Sequence, residues 1–127
     1  MDLKTAFQQV CDGCGKHDEK ERLSNSDPIA KAIVSNLEWI AQWLRERFEI
    51  FNGTPISVEI SKGVGNFPKV PWVCLLPPGQ QIKDGIYAGI CFGKNGNGAV
   101  IGCLQSVSSP KGLTTVIRAS NGKTPAV

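Results

Sequence analysis

A chain of 127 residues supplies one folding unit, long enough to bury a core and too short for two independent ones. Its hydrophobic fraction of 41% and charged fraction of 20% are ordinary for a globular protein. No apolar run approaches the roughly 20 residues that span a bilayer, which excludes a membrane-spanning helix. The start, MDLKTAFQQV, lacks a basic segment followed by an apolar stretch, so no secretory signal is expected and a cytoplasmic address is the default.

The net charge of +3 is unevenly spread. Residues 1 to 52 carry seven Lys/Arg against nine Asp/Glu, whereas residues 53 to 127 carry seven against two, Glu59 and Asp84. The second part is therefore basic, with Lys62, Lys69, Lys83, Lys94, Lys111, Arg118 and Lys123 facing little internal neutralisation, which suits a polyanionic partner. A solvated basic surface with no partner is the plain alternative until folding gathers these cations together.

In chain order, Leu3, Phe7, Val10 and Cys14 recur at helical spacing and predict a short helix over residues 1–15, ending near Gly13 and Gly15 and packing as a flap. A charged connector over 16–26, with one apolar residue in KHDEKERLSN, reads as mobile or as a solvated turn. Asp27 and Pro28 form a strong helix start, a capping carboxylate followed by the imino acid that fits the first helical position. The stripe Ile29, Ile33, Leu37, Ile40, Leu44 and Phe48 then predicts a core helix over 27–52, stopped by Asn52 and Gly53 and widened by Trp39 and Trp43. From Thr54 the period falls to two. Ile56, Val58 and Ile60 alternate with polar residues; WVCLL (72–76), IYAGICF (86–92) and AVIGCLQ (99–105) follow, the last two forming a hairpin through GKNGNG. Residues 114–118 add a candidate strand before a loose tail. The expected fold is a mixed α+β domain, an antiparallel-rich twisted sheet packed on one long helix plus the short N-terminal one, with residues 54–118 as the sheet half.

Cysteines do not make a disulfide framework here: there are five, an odd number. Cys74, Cys91 and Cys103 lie in apolar runs and read as buried small hydrophobes. Cys11 and Cys14 form a lone CxxC with His17 nearby, without the further ligands that structural zinc requires, so no metal site is expected. Gly63-Val64-Gly65 is followed by Pro68 where a dinucleotide fingerprint needs a helix, and Gly122-Lys123-Thr124 has Ile117 where a phosphate loop needs glycine. The single histidine and the turn position of Asp84 leave no evident general base, so the chain is expected to be no enzyme and to require no cofactor.

The informative stretch is Ser61 to Gln105. SKGVGNFPKVPWVCLL, then DGIYAGICF and AVIGCLQS, resembles the amino-terminal DNA-recognition domain of the McrB restriction-subunit family, in which a strand, G-x-G-N, [VI]-P-W, G-[IV]-Y and an apolar strand follow in that order. The resemblance covers about 50 of the 127 residues. It implies a non-catalytic reader of duplex DNA that flips a modified base, 5-methylcytosine or a relative, into an aromatic pocket as part of a restriction or phage-defence system, with hydrolysis and cleavage left to a motor or nuclease domain or subunit. By motif the pocket positions are Val64 in GVGNF, Trp72 in VPW, Tyr87 in GIY and Cys91 four residues on. Val64 and Cys91 replace the family's tyrosine and leucine, which implies a wider or differently shaped pocket. Lys62, Asn66, Lys69, Lys83 and Lys94, in or beside the loops, are the expected contacts to the DNA backbone, with the lysines on one face. Trp72 and Tyr87 also read as ordinary core aromatics. Two further readings compete: a protein-interaction domain using Trp39, Trp43 and the long helix, and a small thiol enzyme using Cys11 and Cys14.

Overall fold

The computed structural model describes residues 1–20, 22–48, 50–51, 53–62, 65–80 and 86–105. Helix α1 spans Leu3–Asp18. Asp2 starts it by accepting the Thr5 N–H at 2.8 Å, satisfying one of the helix's free donors. The same bond holds the Asp2 carboxyl below the usual carboxylate range. The helix runs through Gly13 and Gly15, past the expected stop, and Gly13 serves packing. A Cβ on Gly13 would lie 2.5 Å from Ile33 Cγ1, so the bare Cα lets α1 close onto the second helix. Nor is α1 a flap: Ala6, Val10, Cys14 and His17 are all buried.

Helix α2 spans Pro28–Phe48. Asp27 caps it, its Oδ1 accepting the Ile29 N–H at 2.9 Å, and that bond lowers its carboxyl pKa. Ile33, Leu37, Ile40 and Leu44 are buried as the stripe requires, with Ile29 and Phe48 half-buried at its ends. Each such aliphatic side chain contributes about 1.5–3 kcal/mol on full burial. The helix stops short of 52. Two-residue strands β1 (Ile50–Phe51) and β2 (Thr54–Pro55) pair with registers Ile50↔Pro55 and Phe51↔Thr54, and Gly53 sits at φ 76°. Gly53, which reads as part of a helix stop, instead lies between two paired strands, where a left-handed residue matches the strand twist.

Strands β3 (Ser57–Ile60), β4 (Trp72–Leu76), β5 (Ile86–Phe92) and β6 (Ala99–Gln105) form an antiparallel sheet in the order β3-β4-β5-β6. Val58, Ile60, Val73, Ile90 and Phe92 face the helices in one buried cluster with the α1 and α2 stripes. The Phe92 ring lies 5.3 Å from that of Phe7, and the Arg45 guanidinium donates to the Val58 carbonyl at 2.7 Å, tying α2 to β3. Antiparallel connectivity puts segments 61–71 and 93–98 at one end of the sheet; the Leu76 end of β4 and the Ile86 start of β5 lie at the other.

The described part of the connector is not wholly solvated. Its first residues belong to α1, and Leu23 is buried. The Leu23 carbonyl accepts the Phe67 N–H at 2.7 Å, and the Asn25 N–H donates to the Gly65 carbonyl at 3.1 Å. Together with the Ser24↔Asn66 bridge, these bonds fasten segment 65–69 to the connector. The candidate strand at 114–118 and the tail after it lie outside the described residues.

Candidate nucleic-acid interface

Successive side chains of a strand point to opposite faces, so the residues between the core positions of β4 and β5 share the face turned away from the helices. On β4 these are Trp72, Cys74 and Leu76; on β5 they are Tyr87, Gly89 and Cys91. Register makes Trp72↔Cys91↔Val100 one row across the sheet and Cys74↔Gly89↔Gly102 the next. Four residues separate Trp72 from Leu76, about 13 Å of strand. The middle row offers one thiol and two bare Cα atoms, and over it Trp72 packs against the buried group of Cys74, Leu76 and Tyr87.

Three of the four expected pocket residues are therefore brought to one face. Tyr87 is buried at 9% exposure, and Trp72 and Cys91 are half-buried. Val64 lies outside the described residues. A residue that sequence reasoning passed over holds Trp72 in place. Ser61, itself buried, donates its N–H to the Trp72 carbonyl at 3.0 Å, and its Oγ accepts the Trp72 N–H at 3.0 Å. Nothing in the local pattern marks Ser61; its role follows only from the β3–β4 register.

On β4 and β5 this face carries no charged side chain, but exposed Glu59 of β3 sits on the same face directly opposite Cys74. Burial, with Cys91 and Glu59 adding, pushes the Cys74 thiol up to about 12, and burial also raises the Cys91 thiol. The Tyr87 phenol is raised by burial and then by the two thiols. Such a surface suits a neutral aromatic ring or a methyl group and does not supply a thiolate.

The expected backbone contacts are distributed as follows. Lys62 is exposed, with its ammonium 3.9 Å from Glu38 of α2, which also pairs with Arg45 at 3.7 Å. Lys69 donates to the Lys20 carbonyl at 3.0 Å. Asn66 is exposed on segment 65–69, and Lys94 is exposed in the 93–98 loop. All four belong to the same end of the sheet, the end nearer the Trp72 row. Lys83 lies outside the described residues. Acidic groups are interspersed there: Glu38 beside Lys62, and Asp27, 3.4 Å from Lys20. A cavity of about 420 Å³ opens beside the same row, lined by Val70, Cys91, Val100, Asn95 and Asn97 among others.

The two competing readings gain less. Trp39 and Trp43 are half-buried against the core, and Arg47 stacks over the Trp43 ring at 3.8 Å, so α2 presents neither indole as an open platform. Burial raises the Cys11 thiol and pushes Cys14 up to about 11, the reverse of what a nucleophile needs. All five cysteines are free thiols, and no group of three or more metal-ligating side chains occurs among the described residues. Of the three expected to be buried, Cys74 is, Cys91 is half-buried, and Cys103 is exposed on β6, which pairs with β5 alone among the described residues. His17, expected in the connector, is buried on the last turn of α1 with its ring 6.2 Å from Phe67, and its Nδ1 has no hydrogen-bond partner. No helix among the described residues is long and apolar enough to cross a membrane.

No protein-family model, curated protein or solved structure matches the chain.

Proposed function

We propose that this chain is a non-catalytic DNA-recognition module that takes a modified base, 5-methylcytosine or a relative, out of a duplex and holds it on the outer face of the sheet between Trp72 and Tyr87. The observation that carries the reading is the β4–β5 register. Motif residues spread over Trp72 to Cys91 in sequence come to share one face, beside an end of the sheet that carries Lys62, Asn66, Lys69 and Lys94. Extruding a base costs a few kcal/mol, which stacking on aromatic rings and bonds to the base edge can offset. Cys91 is shorter than the family's leucine and sits directly opposite Trp72, so it widens the pocket on that side. In this reading the module needs no cofactor and serves a restriction or phage-defence system whose motor or nuclease is separate.

The test is a binding panel of duplexes carrying cytosine, 5-methylcytosine, 5-hydroxymethylcytosine or N6-methyladenine at one site. The parent should favour one modified duplex, and Trp72→Ala should lose about 1–3 kcal/mol of that affinity while remaining folded. Cys91→Leu should move preference toward 5-methylcytosine. A folded Trp72→Ala protein that binds every duplex as tightly as the parent refutes the stacking role, and an unfolded one makes Trp72 a core residue.

A further inference from the structure

Residues 53–127 carry only two acids, and one of them, Glu59, stands on the same outer face of the sheet as Trp72 and Tyr87. Register aligns Glu59↔Cys74↔Gly89↔Gly102 as one row across the four strands. The row on one side holds Trp72 and Cys91, and the row on the other holds Leu76 and Tyr87, each about 7 Å away along the strands. The row between the two aromatic residues therefore begins with a carboxylate, continues through a buried thiol and ends in two bare Cα atoms. Glu59 is exposed, with no ion pair or side-chain hydrogen bond among the described residues. It lies near enough to Cys74 that its charge adds, after burial and Cys91, to the rise of that thiol.

A carboxylate on a surface that meets phosphates weakens binding through like-charge repulsion, so its place beside the aromatic pair calls for a use. An ionised carboxylate only accepts hydrogen bonds. The bases that offer it a donor are those with an exocyclic amino group, N4 of cytosine or N6 of adenine; thymine presents a carbonyl oxygen at the same place. We infer that Glu59 accepts this exocyclic N–H from the extruded base, so that the face takes cytosine and adenine derivatives and rejects thymine-type bases. The inference rests on the proposed DNA reading and adds to it the chemical class of the base. The row itself sets the direction. With no side chain on Gly89 or Gly102, the β6 end leaves room for the deoxyribose, and a base entering from there turns the edge opposite its sugar toward β3, where Glu59 stands. On a cytosine ring the C5 substituent neighbours the amino carbon, so Glu59 and the apolar Trp72–Cys91 row read adjacent positions of one base. A charge on an end strand also discourages pairing with another chain. That role is indifferent to the base and gives no discrimination.

The experiment measures binding of the full chain to duplexes carrying 5-methylcytosine or thymine at one site, each opposite an abasic position so that no base pair has to be broken. The two bases share the methyl group and differ in the amino or carbonyl group at C4 and the proton at N3. The parent should favour 5-methylcytosine by about tenfold, and Glu59→Gln, whose amide both donates and accepts, should bring the ratio close to unity. Removing a negative charge tightens binding to both duplexes alike, which cancels in the ratio. A parent without preference, or a ratio that Glu59→Gln leaves unchanged, overturns the inference. Trp72→Ala on the 5-methylcytosine duplex tests the pocket separately. Affinity lost there, with a ratio unmoved by Glu59→Gln, keeps the pocket and removes Glu59 from it; affinity unaltered there removes the pocket and Glu59 with it.

Discussion

Gly96 and Gly79 have nearly the same backbone, φ 78° and 80°, yet very different surroundings. A Cβ on Gly79 meets nothing within 4 Å, whereas one on Gly96 would collide with the Cys11 carbonyl oxygen and lie 3.0 Å from the Gly15 nitrogen. Gly79→Ala should therefore cost only the left-handed conformation, about 1–2 kcal/mol. Gly96→Ala bears that cost and also forces the 93–98 loop off the backbone of α1, which cannot swing aside as a side chain would; overpacking of this kind adds about 1–3 kcal/mol. The sum is about 2–5 kcal/mol, a large part of a small domain's total stability. Urea denaturation followed by tryptophan fluorescence measures both, with equal m-values needed for the comparison. Equal midpoints for the two variants would show that the loop does not rest on α1.

Two further outcomes are expected. Burial, then the nearby Lys69 charge, holds the His17 pKa below its ordinary 6.5, so the unfolded chain binds the proton first on acidification. The stability due to neutral His17 is complete above about pH 6.5 and declines as pH falls toward the folded-state pKa, by at most about 1.4 kcal/mol per pH unit. Urea midpoints measured between pH 7.5 and 5.5 should fall in the parent and stay flatter in His17→Leu; parallel profiles would refute it. Lys62 and Lys69 replaced by alanine should weaken binding to all duplexes and flatten the log K against log salt plot by about one unit per lost phosphate contact. Glu38→Gln should tighten binding by releasing Lys62, since an exposed pair is worth at most about 1 kcal/mol. An unchanged slope in the double lysine variant would remove these residues from the interface.

The strands were the most legible part of the fold. Pro71 and the Pro77-Pro78-Gly79 turn bracket β4, and the glycine-rich loop between two apolar runs gives both the β5–β6 hairpin and its limits, as the structure has them. Asp27 and Pro28 fixed the α2 start for the same local reason. What failed was the meaning of glycine. Gly13 reads as a stop because sequence does not show Ile33 pressing on its Cα atom. Asn52-Gly53 carries the signal for both a helix end and a hairpin, and the choice depends on the pairing of Ile50 with Pro55. The site was half legible. Period two puts Tyr87 and Cys91 on one face of a strand, but the row joining Cys91 to Trp72, and the clamp by Ser61, depend on the pairing of β4 with its neighbours. The exposure of Cys103 depends on strand order, which no local window contains.

The fastening of segment 65–69 to the connector joins two parts of the molecule that the chain keeps far apart. Phe67 and Gly65 are bonded to Leu23 and Asn25, with Lys69 on Lys20, so the connector cannot open without releasing the segment that bears Asn66. The two therefore behave as one cooperative unit, with a shared opening free energy. Anything that orders the segment, a bound duplex included, also steadies the last turn of α1, where His17 sits against Phe67. If the proposed reading holds, a duplex bound at the end of the sheet should also slow amide exchange in the last turn of α1.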